Sequence, residues 1–352
     1  MKTIVHVVGT GTIGEPLIGL FTDFHHYLGI DEVTFHKKSP MLTERAKVAH
    51  LLTRGAHLAV DDDKVEDFEA LGHKVAYTSQ EALERATVVL DCTPDAVEHK
   101  ERDYGAVKGP KGFVAQGSQY GFGKMYARGI NDESLAPGDD RFLEVVSCNT
   151  HNLAMLVRTL GMDGSTLAMR KGRFLCMRRA NDVSQTKEFV PAPVVGRHEE
   201  EGFGTYHARD LFHLFQTIGV SVRAFSSAVR LNTQYMHAVW FSIERETPIE
   251  REQALERLRA HPLVALTERR SANEVFSFGR DHGYYGRILS QTVVSVPTLA
   301  VEEAGHEVVG FAFTPQDGNS LLSSVSAAMW LVDPEHVEAR THVLRRFVFK
   351  EI

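Results

Sequence analysis

The sequence predicts an α/β protein of two domains: a doubly wound parallel sheet, then an α+β domain with a mixed sheet. Up to about residue 140, short apolar runs alternate with helical segments, the pattern of a parallel sheet with helices on both faces. From residue 164 onward the runs lengthen and alternate apolar with polar residues, which is typical of a sheet covered on one face. A length of 352 residues also suits two domains better than one.

The predicted elements of the first domain follow one another in βαβ order. Strands are expected at residues 3–8, 32–38, 57–60, 74–77, 87–93 and 113–117. Helices are expected at 15–28, 41–53, 62–72 and 79–86, the last with Ser79 as its N-cap. Short βαβ connections of this kind place the strands side by side in one parallel sheet.

The second domain is predicted to follow a strand, a tight turn and a helix that span residues 141–161. Longer alternating strands are expected at 166–180, 220–233 and 237–245, and again within 288–314. A charged helix is expected at 249–262 and an apolar one at 320–332. Such a mixture predicts a mixed sheet with helices packed on one face.

Composition excludes several classes of protein. The net charge of −7 argues against nucleic-acid binding, which usually requires a basic excess. No apolar run reaches the roughly 18–20 residues of a membrane span, so we expect a soluble, cytoplasmic protein. The three cysteines match neither a disulfide framework nor a zinc pattern, and the 18 histidines are scattered, so no metal site is predicted.

A glycine loop follows the first strand, with Gly9, Gly11 and Gly14 in G-x-G-x-x-G spacing before the first helix. In such a loop the first glycine permits a tight turn and the second lets the backbone approach a pyrophosphate. The third allows close packing of helix on strand, and the helix N-terminus attracts the phosphates. The strand–loop–helix context therefore predicts a Rossmann-type dinucleotide site.

The second strand carries information on the cofactor. NAD-selective sites place an acid at its end to accept from the ribose 2′-OH. Here the strand is followed by Lys37, Lys38 and Ser39, which suit a 2′-phosphate. The sequence thus favours NADP, or use of both cofactors, over strict use of NAD.

Cys148 differs from the other cysteines in its surroundings. An apolar strand leads into it, polar residues flank it, and a helix leads away. The helix dipole stabilises a thiolate at a helix N-terminus, so we expect a lowered pKa and a nucleophilic role. Cys92 and Cys176 each lie within predicted apolar strands and are expected to be structural.

Several short motifs, in order along nearly the whole chain, resemble the archaeal-type branch of the glyceraldehyde-3-phosphate dehydrogenase family. Residues 147–152 are similar to the family's Ser-Cys-Asn-Thr-Thr-Gly around its nucleophile. Residues 178–182 are similar to its Arg-Arg-Ala-Ala-Asp, residues 205–210 to its Ser-His-His-Gly-Pro-Asp, and residues 232–237 to its Pro-Thr-Thr-Leu-Met-His. The resemblance implies a dinucleotide-binding domain, 1–147 completed by the C-terminal helix 316–352, and a catalytic domain, 148–315.

The resemblance implies roles for matched residues. Cys148 attacks an aldehyde, His237 serves as base, a hydride passes to the nicotinamide, and inorganic phosphate releases an acyl phosphate. Asn149 is expected to orient the aldehyde oxygen. The residues expected to bind substrate or phosphate are Asn149, Thr150, His151, Arg178, Arg179, His207 and Arg209. Those expected to bind NADP or NAD are Gly9, Gly11, Thr12, Ile13, Gly14, Lys37, Lys38, Ser39, Thr93, Pro94, Gln116, Gly117 and Gln316. A homotetramer acting in glycolysis or gluconeogenesis is also implied.

The chain departs from the family pattern mainly near the expected phosphate sites. His151 and Asn152 replace Thr-Gly, Val239 replaces a histidine, and Arg209 replaces a proline. Alternation along the strand lets at most one of Arg178 and Arg179 point inward. Two alternatives stay open: a related cysteine-dependent semialdehyde or sugar-phosphate dehydrogenase, and a non-catalytic nucleotide-binding derivative.

Overall fold

The structure, a computed structural model, describes residues 2–182, 185, 189–315 and 317–352. The chain forms two compact units. Unit 1 contains the residues up to Lys124 together with 136–145 and 323–343, and unit 2 contains 125–135, 146–322 and 344–352. The domain limits implied by the resemblance remain predictions.

Unit 1 contains seven strands of an eight-stranded sheet and the first residue, Lys124, of the remaining strand. The strands of this sheet are β1 (Ile4–Val8), β2 (Glu32–His36), β3 (His57–Val60), β4 (Val75–Thr78), β5 (Val88–Asp91), β6 (Gly112–Gln116), β7 (Lys124–Tyr126) and β8 (Phe142–Val145). The order across the sheet is β4-β3-β2-β1-β5-β6-β8-β7. Strand β1 pairs in parallel with β2 on one side and with β5 on the other, so the winding reverses direction at β1. The predicted doubly wound parallel sheet is confirmed, and a reversal of this kind is where such sheets bind ligands.

Among the described residues, six α-helices come before residue 100. They are α1 (Gly14–Asp23), α2 (His25–Leu28), α3 (Arg45–Thr53), α4 (Val65–Ala70), α5 (Ser79–Arg85) and α6 (Ala96–His99). The helix predicted over 15–28 is broken at Phe24, whose backbone is not helical. The prediction that Ser79 is the N-cap of α5 is wrong. Strand β4 ends at Thr78, which forms a capping box with Glu81 and so supplies the cap itself.

Unit 2 contains a mixed sheet. It is formed by β11 (Met169–Arg178), β12 (Val194–Val195), β13 (Ala224–Arg230), β14 (Ala238–Arg245), β15 (Val264–Thr267), β16 (Thr292–Ser295), β17 (Ala300–Glu302) and β18 (Glu307–Phe313), while β9 (Met162–Asp163) and β10 (Thr166–Leu167) pair separately. Strand β11 runs parallel to β13 and antiparallel to β14, which confirms the predicted mixed sheet.

The helices after residue 147 are α7 (Cys148–Leu156), α8 (Tyr206–Gln216), α9 (Arg251–Ala260), α10 (Ala272–His282), α11 (Gly318–Val332) and α12 (Val337–Thr341). The core of unit 2 joins residues of α7 and α8, such as Leu153 and Phe215, to the inward side of the sheet, such as Phe174 and Phe241. Burial of this apolar surface holds the second half of α7, residues 153–156, against the sheet. Among the described residues, no helix is long and apolar enough to cross a membrane.

Candidate active site

The glycine loop of unit 1 has the geometry of a phosphate cradle. Gly9 adopts a φ of +92°, which other residues rarely adopt. A Cβ on Gly14 would lie 2.0 Å from the carbonyl oxygen of Gly9, so only glycine allows this close packing. A Cβ on Gly11 would meet no atom within 4 Å, so the backbone there is open to a ligand. Thr12 and Ile13 complete the turn, and Ile13 is the N-cap of α1.

Next to the end of β2 lies an acid, Glu44, that the sequence interpretation did not identify. The strand ends at His36, and Lys37 is buried with its Nζ 2.6 Å from a carboxylate oxygen of Glu44. Glu44 also accepts from Lys47 at 2.8 Å, and Lys47 donates to the carbonyl of Thr10 in the glycine loop at 3.3 Å. Burial opposes ionisation, but the two ammonium groups hold the pKa of Glu44 below its ordinary value.

Lys38 and Ser39, the other two residues expected to contact a 2′-phosphate, are exposed after this strand. The ammonium of Lys37 is therefore already paired with a carboxylate, while that of Lys38 faces solvent. The charge available to a cofactor at this end of the sheet is lower than the sequence Lys-Lys-Ser suggests.

The ends of β5 and β6 carry the remaining residues expected to bind cofactor in unit 1. Asp91 ends β5 and accepts from the backbone and hydroxyl of Thr93 at 2.9 and 2.6 Å, which fixes the turn that contains Pro94. Gln116 ends β6, and both polar atoms of its side chain are buried without a partner among the described residues. Gly117 follows with a φ of +81° and open space around it. An unsatisfied buried amide next to an open glycine is a feature that a polar ligand would complete.

Cys148 is the first residue of α7, as predicted, and is half-buried. The hydroxyl of Ser147 caps the helix by accepting from the N–H of Thr150 at 3.3 Å. Asn319 donates from Nδ2 to the carbonyl of Cys148 at 2.9 Å and to that of Gln291 at 3.1 Å, which anchors the helix start.

The predicted lowering of the Cys148 pKa is wrong. Burial raises the pKa of the thiol to about 12, and the carboxylate of Asp317 adds to this, against the opposing effect of Arg179. Cys176 is buried in β11, as predicted, whereas Cys92 follows β5 and is half-buried. Its predicted place within that strand is therefore wrong as well.

Arg179 is the buried member of the arginine pair. Its Nη2 lies 3.2 and 3.3 Å from the two carboxylate oxygens of Asp317 and 3.2 Å from Asp182. Its Nε and Nη1 are buried and have no hydrogen-bond partner among the described residues. Arg178 is exposed, in agreement with the expected alternation. Buried guanidinium N–H groups that lack an acceptor are suited to bind an anion.

His237 lies directly beside Arg179. The backbone N–H of Arg179 donates to Nδ1 of His237 at 3.1 Å. Because a backbone N–H is always a donor, Nδ1 carries a lone pair and the neutral ring carries its proton on Nε2. Burial holds the pKa of His237 well below its ordinary value, and the positive charges of Arg179 and Arg178 lower it further. The ring is therefore neutral.

His207 is a second buried histidine of this region. Its Nδ1 lies 3.4 Å from the hydroxyl of Ser147, and its Nε2 is buried without a partner among the described residues. Burial and then the charge of Arg178 lower the pKa of His207 to about 3. The neutral ring therefore has one nitrogen available to a ligand.

A cavity of about 350 Å³ brings several of these groups together. Arg178, Arg179 and His237 line it, with Asp182 and with Arg230, which the sequence interpretation did not identify. Arg230 is the register partner of Arg178 in the parallel β11–β13 pair, which places both at the same end of the sheet. Three arginines and two carboxylates, those of Asp182 and Asp317, give the region a net positive charge.

Two expected site residues, His151 and Arg209, have other surroundings. His151 is fully buried, and its Nδ1 lies 2.9 Å from the carbonyl of Ser147 one helical turn earlier. Arg209 is paired with the carboxylates of Glu200 and Asp210 and does not line the cavity. Gln316 lies outside the described residues.

No protein-family model matches the chain. Curated proteins named glyceraldehyde-3-phosphate dehydrogenase do. The protein of Hyperthermus butylicus is 26% identical over 344 residues, which cover 95% of this chain and 90% of the relative. The protein of Pyrobaculum calidifontis is 27% identical over 277 residues, which cover 75% of this chain and 72% of the relative. The protein of Methanosarcina barkeri is 25% identical over 290 residues, which cover 80% of this chain and 79% of the relative. The chain is homologous to archaeal glyceraldehyde-3-phosphate dehydrogenases.

This homology confirms the resemblance inferred from the short motifs. For the residues that the sequence interpretation missed, the local signal was weak. Asp317, Asn319 and Thr314 contact the start of α7 or Arg179 from more than 130 positions away in the chain. Arg230 could have been suggested by its position at the end of an alternating strand, since such an end places a charged side chain at the sheet edge.

Proposed function

We propose that the protein is a phosphorylating, NAD(P)-dependent glyceraldehyde-3-phosphate dehydrogenase that works through a thioester on Cys148. The observation that carries this proposal is the start of α7, where Cys148 lies among the charges of Arg179, Arg178 and Asp317. A thiol at a capped helix start near the unsatisfied N–H groups of Arg179 combines a nucleophile with an anion site. Homology to proteins of that name supports the same activity.

The residues of unit 1 fit a dinucleotide. Gly9, Gly11 and Gly14 would hold its pyrophosphate, and the unsatisfied amide of Gln116 would meet a polar group of the cofactor. When bound, the nicotinamide supplies the hydride acceptor for the reaction. We propose NADP or dual use, with Lys37 and Lys38 on the ribose side.

The proposed chemistry begins at Cys148. Its thiol loses a proton to solvent, and the thiolate sulfur forms a bond to the aldehyde carbon. The carbonyl oxygen becomes an alkoxide, which the amide of Asn149 stabilises as a hydrogen-bond donor. Departure of a hydride leaves an acyl thioester. Phosphate oxygen then attacks the acyl carbon, the carbon–sulfur bond breaks, and an acyl phosphate leaves.

His237 is assigned as a base by the resemblance, and that role stays a prediction. The hydrogen bond from Arg179 supports a different one, because it keeps Nδ1 as acceptor and the proton on Nε2. We propose that Nε2–H donates to the alkoxide oxygen. A neutral imidazole that donates costs no ionisation, which suits a histidine whose pKa is far below its ordinary value.

The anionic groups of the reaction need donors. The free N–H groups of Arg179 and the Nε2 of His207 are buried, so an oxyanion bound to them would form strong, charge-assisted bonds. Arg178 and Thr150 are further contacts in this proposal. The ligands are glyceraldehyde 3-phosphate and inorganic phosphate.

Formation of NADPH and NADH from glyceraldehyde 3-phosphate, with and without phosphate, tests the proposal. Activity should require phosphate beyond the first turnover and vanish in Cys148→Ser. Cys176→Ala, which removes a buried thiol outside the proposed chemistry, should keep it. Activity in Cys148→Ser would contradict the proposal. A panel that includes other phosphorylated aldehydes and aspartate semialdehyde tests the substrate, and a higher kcat/KM with one of these would replace it.

We also propose that the protein is a homotetramer, as the resemblance implies. The outward side of the unit 2 sheet carries Trp240 and Phe311 as register partners, and Phe311 is 39% exposed. Large apolar side chains exposed together often mark a protein interface. Light scattering of Phe311→Glu against the unchanged protein tests this, since the variant should have a lower mass.

A further inference from the structure

Four polar side chains, one of them that of Asn149 next to Cys148 in the sequence, form one continuous hydrogen-bonded chain. They are Thr292 at the start of β16, Asn152 and Asn149 in α7, and Thr314 directly after β18. None is more than 2% exposed. Buried polar groups that satisfy one another in this way are expensive to break, so the chain is a rigid part of the molecule.

The bonds run in one direction. The hydroxyl of Thr292 donates to Oδ1 of Asn152 at 2.6 Å, and Nδ2 of Asn152 donates to the hydroxyl oxygen of Thr314 at 2.9 Å. Thr314 in turn donates to Oδ1 of Asn149 at 3.0 Å. Because a hydroxyl has one proton, the donation from Thr314 to Asn149 requires that Thr314 accept from Asn152.

This arrangement fixes the amide of Asn149. Its oxygen is occupied by Thr314, so Nδ2 is the end of the amide left to donate elsewhere. Asn149 directly follows Cys148, and its terminal torsion would otherwise have a broad range. The chain of bonds also polarises the amide, since successive hydrogen bonds strengthen one another.

Asn152 is the member of the chain that reaches both threonines. It lies three residues after Asn149, so the two side chains share one face of α7. The matched position in the nucleophile motif of the resembling family is glycine, which offers no side chain for such bonds. The contact from α7 to Thr292 and Thr314 is therefore a property of this chain.

We propose that Asn152 and Thr314 are positioning residues, which hold the Asn149 amide so that its N–H group meets the oxygen of the aldehyde bound to Cys148. This inference rests on the proposed function. Asn149 is the group that contacts the reacting oxygen, and the other two act through it. Loss of a correctly placed oxyanion donor lowers kcat about 100-fold or more, and misplacement should cost part of that.

The test compares Thr314→Val, which removes the hydroxyl, with Thr314→Ser, which keeps it. We expect Thr314→Val to lower kcat about tenfold with little change in KM, and Thr314→Ser to stay within about twofold of the unchanged enzyme. Thr159→Val removes another buried hydroxyl, one that donates to the carbonyls of Met155 and Leu156 at the end of α7, and should leave kcat unchanged. In an Asn149→Ala background, Thr314→Val should have no further effect.

The amide resonances of Asn149 give a readout that does not need activity. We expect the two Nδ2 protons to be distinct and slow to exchange in the unchanged protein and in Thr314→Ser, and averaged or fast to exchange in Thr314→Val. An inactive protein with this response would contradict the proposed function but support the positioning. Unchanged kcat in Thr314→Val, additive losses with Asn149→Ala, or an Asn149 amide that does not respond would overturn the positioning.

Discussion

The backbone N–H of Arg179 donates to Nδ1 of His237 across 3.1 Å, and this bond determines which ring nitrogen carries the proton. The same residue places its guanidinium against Asp317. Arg179, directly after β11, therefore fixes the tautomer of the histidine through its backbone and provides free N–H groups through its side chain.

His237→Gln should retain more activity than His237→Leu, because a glutamine amide can donate to an alkoxide but cannot act as a base. We expect kcat of the Gln variant to exceed that of the Leu variant about tenfold, the contribution of one donor. Nitrogen NMR of the labelled ring should find the Nε2–H form from pH 6 to 9. Equal losses in both variants, or protonation of both ring nitrogens near neutral pH, would support the base role instead.

Alkylation of Cys148 by iodoacetamide should accelerate steadily with pH. Because burial raises the thiol pKa to about 12, the thiolate fraction increases tenfold for each pH unit well below that value. The rate, followed by mass spectrometry of the Cys148 peptide, should show no plateau between pH 7 and 10. A plateau near neutral pH would mean that the helix dipole and the arginines outweigh burial.

Arg179→Met should weaken phosphate binding about 10- to 100-fold, as expected for the loss of hydrogen bonds to a charged group. It should also destabilise the fold by about 3 kcal/mol, because Asp317 is left buried and unpaired. Titration calorimetry with inorganic phosphate and urea unfolding measure the two effects. The matched control is Arg173→Met, an exposed arginine of β11, the strand that Arg179 directly follows, and it is paired with Glu244. Equal phosphate affinity in both variants would contradict the assignment of Arg179.

Glu44→Gln should shift cofactor preference toward NADP. The change leaves the ammonium groups of Lys37 and Lys47 without their shared carboxylate, so a 2′-phosphate gains about tenfold in affinity relative to a hydroxyl. Direct binding of NADP and NAD, measured without substrate, gives the ratio. Glu69→Gln, an exposed acid on α4, is the control and should leave it unchanged. A ratio that moves toward NAD would mean that the lysines do not face the ribose.

The glycine loop could be predicted from the sequence because its requirements are local. Gly9 needs a positive φ and Gly14 needs close packing, and both follow from a strand, a turn and a helix in succession. The choice between Arg178 and Arg179 needed the strand register, which alternation alone leaves open.

The neighbours of the nucleophile could not be predicted in the same way. Thr314 and Asn319 reach α7 through packing of distant elements, and no periodicity indicates such contacts. The pKa of Cys148 depends on burial by the whole unit, whereas the expectation from the helix dipole was local. The local sequence correctly predicted that Cys148 lies at a helix start. Burial by tertiary packing, however, raises the pKa of its thiol instead of lowering it.

Intact mass spectrometry after mixing the protein with NADP or NAD and glyceraldehyde 3-phosphate, without phosphate, tests the central claim most directly. We predict that one acyl group, a phosphoglyceroyl thioester, adds to Cys148 and is lost when phosphate is supplied. Peptide mapping locates it, and Cys148→Ser should carry none. Reduction of the cofactor without any adduct on Cys148, or an adduct on another residue, would contradict the thioester mechanism.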